Sequence, residues 1–433
     1  MNFKHEKLKV VALGGCGGMG QFAVRTALSY DFIDEIIIAD RDGKRADDFA
    51  GICNKNNVRA VEIDIMDSQK LHKLLDEADV VMTAVGPYYR FGVPILRAAI
   101  ATGCHYLDLN DDWEPTLEML NLDEEAQKAG ICAIIGVGAS PGISNMLAVK
   151  AMNMLDSVDS LITAWGSGGN NLMTLWKTAK ASAGGSYGAA IEHAMQQLTG
   201  TIRLLVDGQF KDVKPFEQIV IDYPGIGKVT AYTIGHPEPL TIPLFRPEMK
   251  YSCNAMNLPA VIVEFFRWIA CEIDAGRMNN RDGAVLMTQM ESDLRKAVLS
   301  PNYWKCMFNM MLKCFNLKEQ FLYRMVRDFT IPEAYLPELC AIANGKKNGT
   351  TKKVAVSMSS TLTGGSDIGS MGALTGIPMA VGLALIAKGK VSRLGVFAPE
   401  KGIDPDDFFD ELASLCTPSR RDAGELLTID ISN

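Results

Sequence analysis

Seven residues near the start of the chain, Gly14-Gly15-Cys16-Gly17-Gly18-Met19-Gly20, are mostly glycine and carry the first chemical signal. An apolar run, Leu8 to Leu13, leads in, and a stretch with helical spacing leads out through Phe22, Ala23, Thr26 and Ala27 to Tyr30. A strand, a glycine turn and a helix with the spacing Gly15-x-Gly17-x-x-Gly20 form a dinucleotide fingerprint. The first glycine makes the tight turn, the second admits a pyrophosphate to the backbone, and the third lets helix pack on strand. Phosphate charge would meet the unpaired N–H groups and the positive end of the helix, with Gly18 and Met19 in the same loop.

A carboxylate follows at the distance this chemistry needs. Asp40 ends a second apolar run, 20 residues beyond Gly20, where it can accept hydrogen bonds from an adenosine ribose. That favours NAD, while Arg41 beside it can stack on adenine or meet a 2′-phosphate, so NADP stays open. Asp64, after a third run, either borders the adenine or serves the next helix as an N-terminal carboxylate. Val85-Gly86-Pro87-Tyr88-Tyr89 follows a fourth run, Asp79 to Ala84, at the point where doubly wound sheets bind ligands. Gly86 would admit the nicotinamide, Pro87 stiffens the turn, and Tyr88 and Tyr89 either line a substrate pocket or pack. Asp108-Leu109-Asn110-Asp111-Asp112 groups carboxylates that can bind an ammonium, activate a water or cap a helix. Further on, Gly235-His236-Pro237-Glu238-Pro239 offers a histidine that titrates near neutrality and a carboxylate for a cation. His193 reads as a helix-surface or interface residue, and a P-loop lysine and an HExxH pair are both missing.

Six apolar runs alternate with five helical patterns up to Val137, which predicts a parallel, doubly wound α/β sheet. Ser68 is expected to cap the helix to Ala78, and Ser140 to cap a helix with Pro141 at its first position. Strands at Val158–Trp165, Thr201–Val206, Glu217–Asp222, Lys228–Ile234 and Lys353–Met358 then predict an α+β unit with a mostly antiparallel sheet. Met307, Met310, Met311 and Phe315 fall in a helical insert at about 255–345. After glycines from Gly364 to Gly376, a helix to Lys388 and a strand near Leu394–Phe397 return to the first sheet. The expected domains are 1–139, completed by 366–433, and 140–365.

The chain has 433 residues, too many for one ordinary core, and its net charge of −8 argues against nucleic acid or an anionic membrane as partner. The longest uncharged apolar run, Ile377 to Ala387, is far short of the roughly 20 residues a membrane span needs. Ten scattered cysteines without a CxxC pair read as reduced, so no structural metal and a cytoplasmic location are expected.

Taken together, these segments resemble the saccharopine dehydrogenase-like family. The likeness runs through Gly15 to Gly20, Gly86-Pro87-Tyr88-Tyr89-Arg90-Phe91-Gly92-Val93-Pro94 and His105-Tyr106-Leu107-Asp108. It continues in Ser140-Pro141-Gly142-Ile143-Ser144-Asn145, Gly235-His236-Pro237-Glu238-Pro239, Gly376-Ile377-Pro378-Met379-Ala380 and Gly395-Val396-Phe397-Ala398-Pro399. The resemblance implies a Rossmann domain, an α+β domain that dimerises, and hydride transfer between NAD(P) and a C–N unit of an amino-acid- or polyamine-derived substrate. Where saccharopine reductases carry Asp-Pro-Gly-Ile-Asp-His and an Asn-Arg-Asp pattern, this chain has the Ser140 and His236 segments, so the substrate stays open. On this reading Asp108 and His236 are the catalytic candidates, and Tyr88, Tyr89, Asp111, Ser140 and Glu238 bind substrate. The alternatives are a C=C reductase of similar fold and a cofactor-binding protein without turnover.

Overall fold

The computed structural model describes residues 3–166, 195, 197–258, 260–292, 334–358, 371–416 and 421–433. By contact the chain divides into two units, the first Met1–Lys150, Leu244–Pro247 and Thr361–Thr428, the second Ala151–Pro243, Glu248–Ser360 and Ile429–Asn433. His193, the Met307 to Phe315 stretch and the first glycines of the Gly364 cluster lie outside the described residues.

The first unit is built on β1 (Leu8–Leu13), β2 (Ile33–Asp40), β3 (Val58–Glu62), β4 (Val80–Thr83), β5 (His105–Asp108) and β6 (Cys132–Ile134). With Gly395–Phe397 they make a seven-stranded sheet in the order Gly395–Phe397, β6, β5, β4, β1, β2, β3. Its pairings are parallel. Val10 to Leu13, Ile36 to Ile38 and Val80 to Met82 are buried as unbroken runs, as a parallel sheet covered on both faces requires. Chain order runs outward from β1 to β3 and then jumps back to β4 on the other side of β1. The loops after β1 and β4 therefore meet: a Cβ on Gly14 would lie 3.1 Å from Val85 Cγ2.

Two expected helix starts need correction. The helix Ser68–Asp76 is capped by Asp67, whose side chain accepts from the Lys70 N–H. A carboxylate one residue earlier outcompetes the Ser68 hydroxyl for the free N–H groups of the first turn. The helix expected to begin at Pro141 begins at Ile143. Ser140-Pro141-Gly142 instead form a turn closed by Gly138 N–H donating to Pro141 O at 2.8 Å. A residue before proline is driven out of the helical region, so Ser140 stays in the turn.

The helix Met371–Ala387 covers the glycine loop. Cβ atoms on Gly372 and Gly376 would overlap Gly18 O and Met19 O, so the backbone of this helix lies directly on the start of the helix Gly20–Ala27. Glycine at those two positions is what permits the approach.

The second unit contains β7 (Ser157–Trp165), β8 (Ile202–Val206), β9 (Gln209–Val213), β10 (Gln218–Tyr223), β11 (Gly227–Ile234), β12 (Tyr251–Met256), β13 (Leu339–Lys347) and β14 (Thr350–Met358). Their sheet runs β10-β11-β12-β7-β13-β14, with Leu427–Ser432 beyond β14 and β8 and β9 attached to β12. Antiparallel pairs dominate, and β12 with β7 is parallel. Helices Ala260–Asp274 and Asn280–Ser292 occupy the described part of the expected insert. Its far end is strand, not helix, because β13 starts at Leu339. Leu339 to Ala343 are buried without alternation, the pattern of a central strand, which in small residues also reads as helix.

Candidate functional site

The glycine loop is a cradle in which side chains have no room. A Cβ on Gly20 would lie 2.9 Å from the Gly15 Cα and closer still to Gly14 O, and one on Gly15 would lie 2.9 Å from the Ala12 Cβ. The loop closes on itself through Gly17 N–H donating to Gly14 O at 2.9 Å and Gln21 N–H donating to Gly17 O at 3.1 Å. On the outer side, a Cβ at Gly18 or at Gly86 would meet no protein atom within 4 Å. The first turn of the Gly20–Ala27 helix carries no acidic side chain. Tight packing behind the loop, open space before it and an uncompensated helix start together fit a diphosphate.

Asp40 ends β2 beside this loop and is half-buried, with Arg41 next to it exposed. Its carboxylate is held on both sides: Oδ1 accepts the Asp42 N–H at 3.0 Å and Oδ2 accepts the Cys16 thiol at 3.1 Å. Asp64 is exposed, accepts the Met66 N–H at 2.9 Å, and so stabilises its own turn.

The two tyrosines divide. Tyr88 is 6% exposed and donates to Thr83 O at 3.3 Å, which makes it a packing residue, whereas Tyr89 is 54% exposed. Asp112 stands at the start of the helix Trp113–Leu120 without a side-chain cap, and its Oδ2 accepts the Tyr89 N–H at 3.3 Å. The expected cap role of this cluster is therefore not filled by Asp112. Asp111 is half-buried in the same turn.

Asp108 is fully buried, with its carboxylate enclosed by donors. Oδ1 accepts the Gly136 N–H at 2.6 Å and the Asn110 N–H at 3.0 Å, and Oδ2 accepts the Tyr106 hydroxyl at 2.7 Å. Burial pushes the carboxyl up to about 6, against the pull of those three hydrogen bonds. Tyr106, itself raised by burial, keeps its proton and remains a donor. This is a clamp joining the ends of β5 and β6 to the turn before Asp111. Tyr106 and Asp108 lie two apart on one strand, and that period was the available sign that they share a face. Ser140, 8% exposed, sits in the turn beyond Gly136.

His236 and Glu238 belong to the second unit, and both are buried rather than solvated as loop residues would be. His236 Nδ1 lies 3.5 Å from Glu238 Oε2. Asn254 Nδ2 donates to Glu238 Oε1 at 3.2 Å and to Thr163 Oγ1 at 3.0 Å. Asn254 and Thr163 face each other in the β12–β7 register, so two central strands hold the Glu238 carboxylate in place. Neither residue announces itself in the sequence, because polar side chains inside β7 and β12 read as exposed positions. Among the described residues there is no group of three or more His, Cys, Asp or Glu able to hold a metal ion. No described helix is long and apolar enough to cross a membrane.

Residues 10–134 match the family model described as the saccharopine dehydrogenase NADP binding domain, and residues 138–415 match the saccharopine dehydrogenase C-terminal domain. The chain is 21% identical over 434 residues to carboxyaminopropylagmatine dehydrogenase of Synechocystis sp., covering 94% of this chain and 96% of that one. It is 25% identical over 266 residues to carboxynorspermidine synthase of Vibrio alginolyticus, covering 54% of this chain and 59% of that one. A solved structure of L-Glu-forming saccharopine dehydrogenase from Saccharomyces cerevisiae is similar in fold, with a TM-score of 0.59 at 17% identity over 98% of this chain and 100% of that one.

Proposed function

Because the chain belongs to the saccharopine dehydrogenase family, we propose that this oxidoreductase moves a hydride between a nicotinamide dinucleotide and a CH–NH or C=N bond of a substrate derived from an amino acid or a polyamine. The observation that carries the reading is the extent of the likeness to carboxyaminopropylagmatine dehydrogenase, 94% of this chain, which is not confined to the cofactor-binding half. The bound nicotinamide supplies or accepts the hydride. Gly15, Gly17, Gly18, Met19 and Gly20 hold the diphosphate, Asp40 takes the ribose hydroxyls, Arg41 and Asp64 flank the adenosine, and Val85-Gly86-Pro87 leaves open space for the nicotinamide. Iminium chemistry depends on positioning and charge more than on a strong base. Glu238, pinned by Asn254, suits an ammonium, and His236 beside it suits proton transfer. Asp111, Tyr89 and Ser140 are proposed substrate contacts. Asp108 moves from catalysis to positioning, since it is fully buried and takes three hydrogen bonds from the scaffold.

The test is NAD(P)H turnover across amino acids, polyamines and mixtures of each with small oxo acids and aldehydes. Turnover on at least one C–N substrate is expected. Tight NADH binding with no turnover on any amine, imine or enoyl compound would replace this reading with a cofactor sensor, and turnover on enoyl compounds alone with a C=C reductase. The same reading makes the protein a homodimer, checked by sedimentation equilibrium.

Cofactor choice has its own test. Asp40→Ala should weaken NADH binding by about tenfold or more, the worth of hydrogen bonds to a charged acceptor. NADPH, whose 2′-phosphate the carboxylate repels, should lose little. Equal losses for the two cofactors in a direct binding titration would refute the ribose assignment.

A further inference from the structure

We propose that Cys16 is a positioning residue for cofactor choice: its thiol holds the Asp40 carboxylate where it takes a ribose 2′,3′-diol and excludes a 2′-phosphate. This rests on the reading of Asp40 as the ribose ligand.

A carboxylate has about four acceptor positions, two on each oxygen. Asp42 N–H occupies one on Oδ1 and the Cys16 thiol one on Oδ2, which leaves one on each oxygen. Two adjacent hydroxyls offer one donor to each. A 2′-phosphate offers only negative charge and acceptors, so it binds only if the carboxylate swings aside and the exposed Arg41 turns in.

What resists that swing is local. The Asp40 backbone is fixed by Ile63 N–H donating to its carbonyl at 2.9 Å, and the glycine loop is tied to the same strand end by Gly14 N–H donating to Ala39 O at 2.8 Å. Two hydrogen bonds hold the side chain. One comes from backbone and is insensitive to the choice of residue; the other is Cys16. The thiol is 5% exposed. Burial first, then the contact with Asp40, pushes it up to about 12, so at neutral pH it stays protonated as the donor. A thiolate there would repel the carboxylate. The position between the first two fingerprint glycines thus supplies a donor that reaches the end of β2.

Dissociation constants for NADH and NADPH, measured by calorimetry on the whole protein, test this for Cys16→Ala, Cys16→Ser, Asp40→Ala and the double variant. Cys16→Ala should lower the NADH-over-NADPH preference about fivefold, the effect of losing one hydrogen bond from a weak S–H donor. NADPH binding should be kept or strengthened, which also reports a folded loop. Cys16→Ser, which restores a donor, should return the preference to within about twofold of wild type. In the Asp40→Ala background, Cys16→Ala should leave the ratio unchanged. If Cys16→Ala weakens both cofactors alike, or shifts the ratio equally with and without Asp40, the thiol only packs and the proposal fails while the ribose reading stands. If Asp40→Ala alone leaves the ratio unmoved, the ribose reading fails and takes this proposal with it.

Discussion

Asp108→Ala is expected to destabilise the cofactor-binding unit by about 3–9 kcal/mol, whereas Asp108→Asn leaves it folded and active. Alanine strands the Gly136 and Asn110 N–H groups and the Tyr106 hydroxyl, all buried, and each stranded donor costs about 1–3 kcal/mol. In asparagine the amide oxygen still accepts both N–H groups, and the amide nitrogen donates to a Tyr106 hydroxyl that turns to accept. The pair of variants separates positioning from catalysis. A residue that exchanges protons with substrate would lose activity on Asp108→Asn while melting normally. Retained activity in Asp108→Asn, with loss of fold in Asp108→Ala, is the expected outcome by calorimetry and turnover.

The same carboxyl makes a pH signature. Its value in the folded protein is about 6 against an ordinary 3.8, so the native state binds this proton more tightly than the unfolded chain does. The stability it contributes is fully present below about 3.8 and is lost as pH rises through about 6. Asp108→Asn cannot titrate. Relative to wild type it should gain about 3 kcal/mol between pH 4 and pH 7. A flat difference between the two unfolding curves over that range would show that the carboxyl is not held in this way.

Gly20→Ala should reduce NADH affinity by about 10- to 100-fold, the worth of one hydrogen bond to a charged diphosphate lost when the loop is displaced. The added methyl would overlap Gly14 O and lie 2.9 Å from the Gly15 Cα, both backbone, so the loop itself must move. Gly51→Ala is the control: its Cβ would meet nothing within 4 Å, and inside the helix Gly43–Cys53 it should stabilise by about 0.5–1 kcal/mol without touching binding. Wild-type affinity in Gly20→Ala, by fluorescence titration, would mean that the loop is not the diphosphate cradle.

These residues also mark what a sequence can and cannot display. The glycine loop, Asp40 and the alternating runs to Ile134 were legible because their signals are local: a strand, a turn and a helix lie within thirty residues. The return of Gly395–Phe397 to the first sheet was legible from its apolar character and from the family resemblance. β9, β12, β13 and Leu427–Ser432 were not anticipated as strands. In β12 Asn254 is polar yet buried, with its Nδ2 donating to Thr163 on the neighbouring strand and to Glu238, and no local pattern reveals a partner 16 residues away. His236 and Glu238 stood out in the sequence, but their burial did not, since a Gly-His-Pro-Glu-Pro segment reads as an exposed loop. Cys16 lay in plain view inside the fingerprint, but its meaning depends on Asp40, 24 residues on, and only the fold brings the two together.

The seating of Gly372 and Gly376 on the glycine loop bears on how the protein is made. The two long stretches of the cofactor-binding unit, Met1–Lys150 and Thr361–Thr428, are separated in the chain by most of the second unit. A ribosome adding about 5–20 residues per second needs roughly 20–70 s to pass from the fingerprint to the helix that covers it. Throughout that interval the loop is exposed on an incomplete sheet, with β6 still an open edge awaiting Gly395–Phe397. The dinucleotide site and the sheet edge beside β6 are therefore completed only when translation is nearly finished, so binding of the cofactor stabilises the fold late in synthesis, not early.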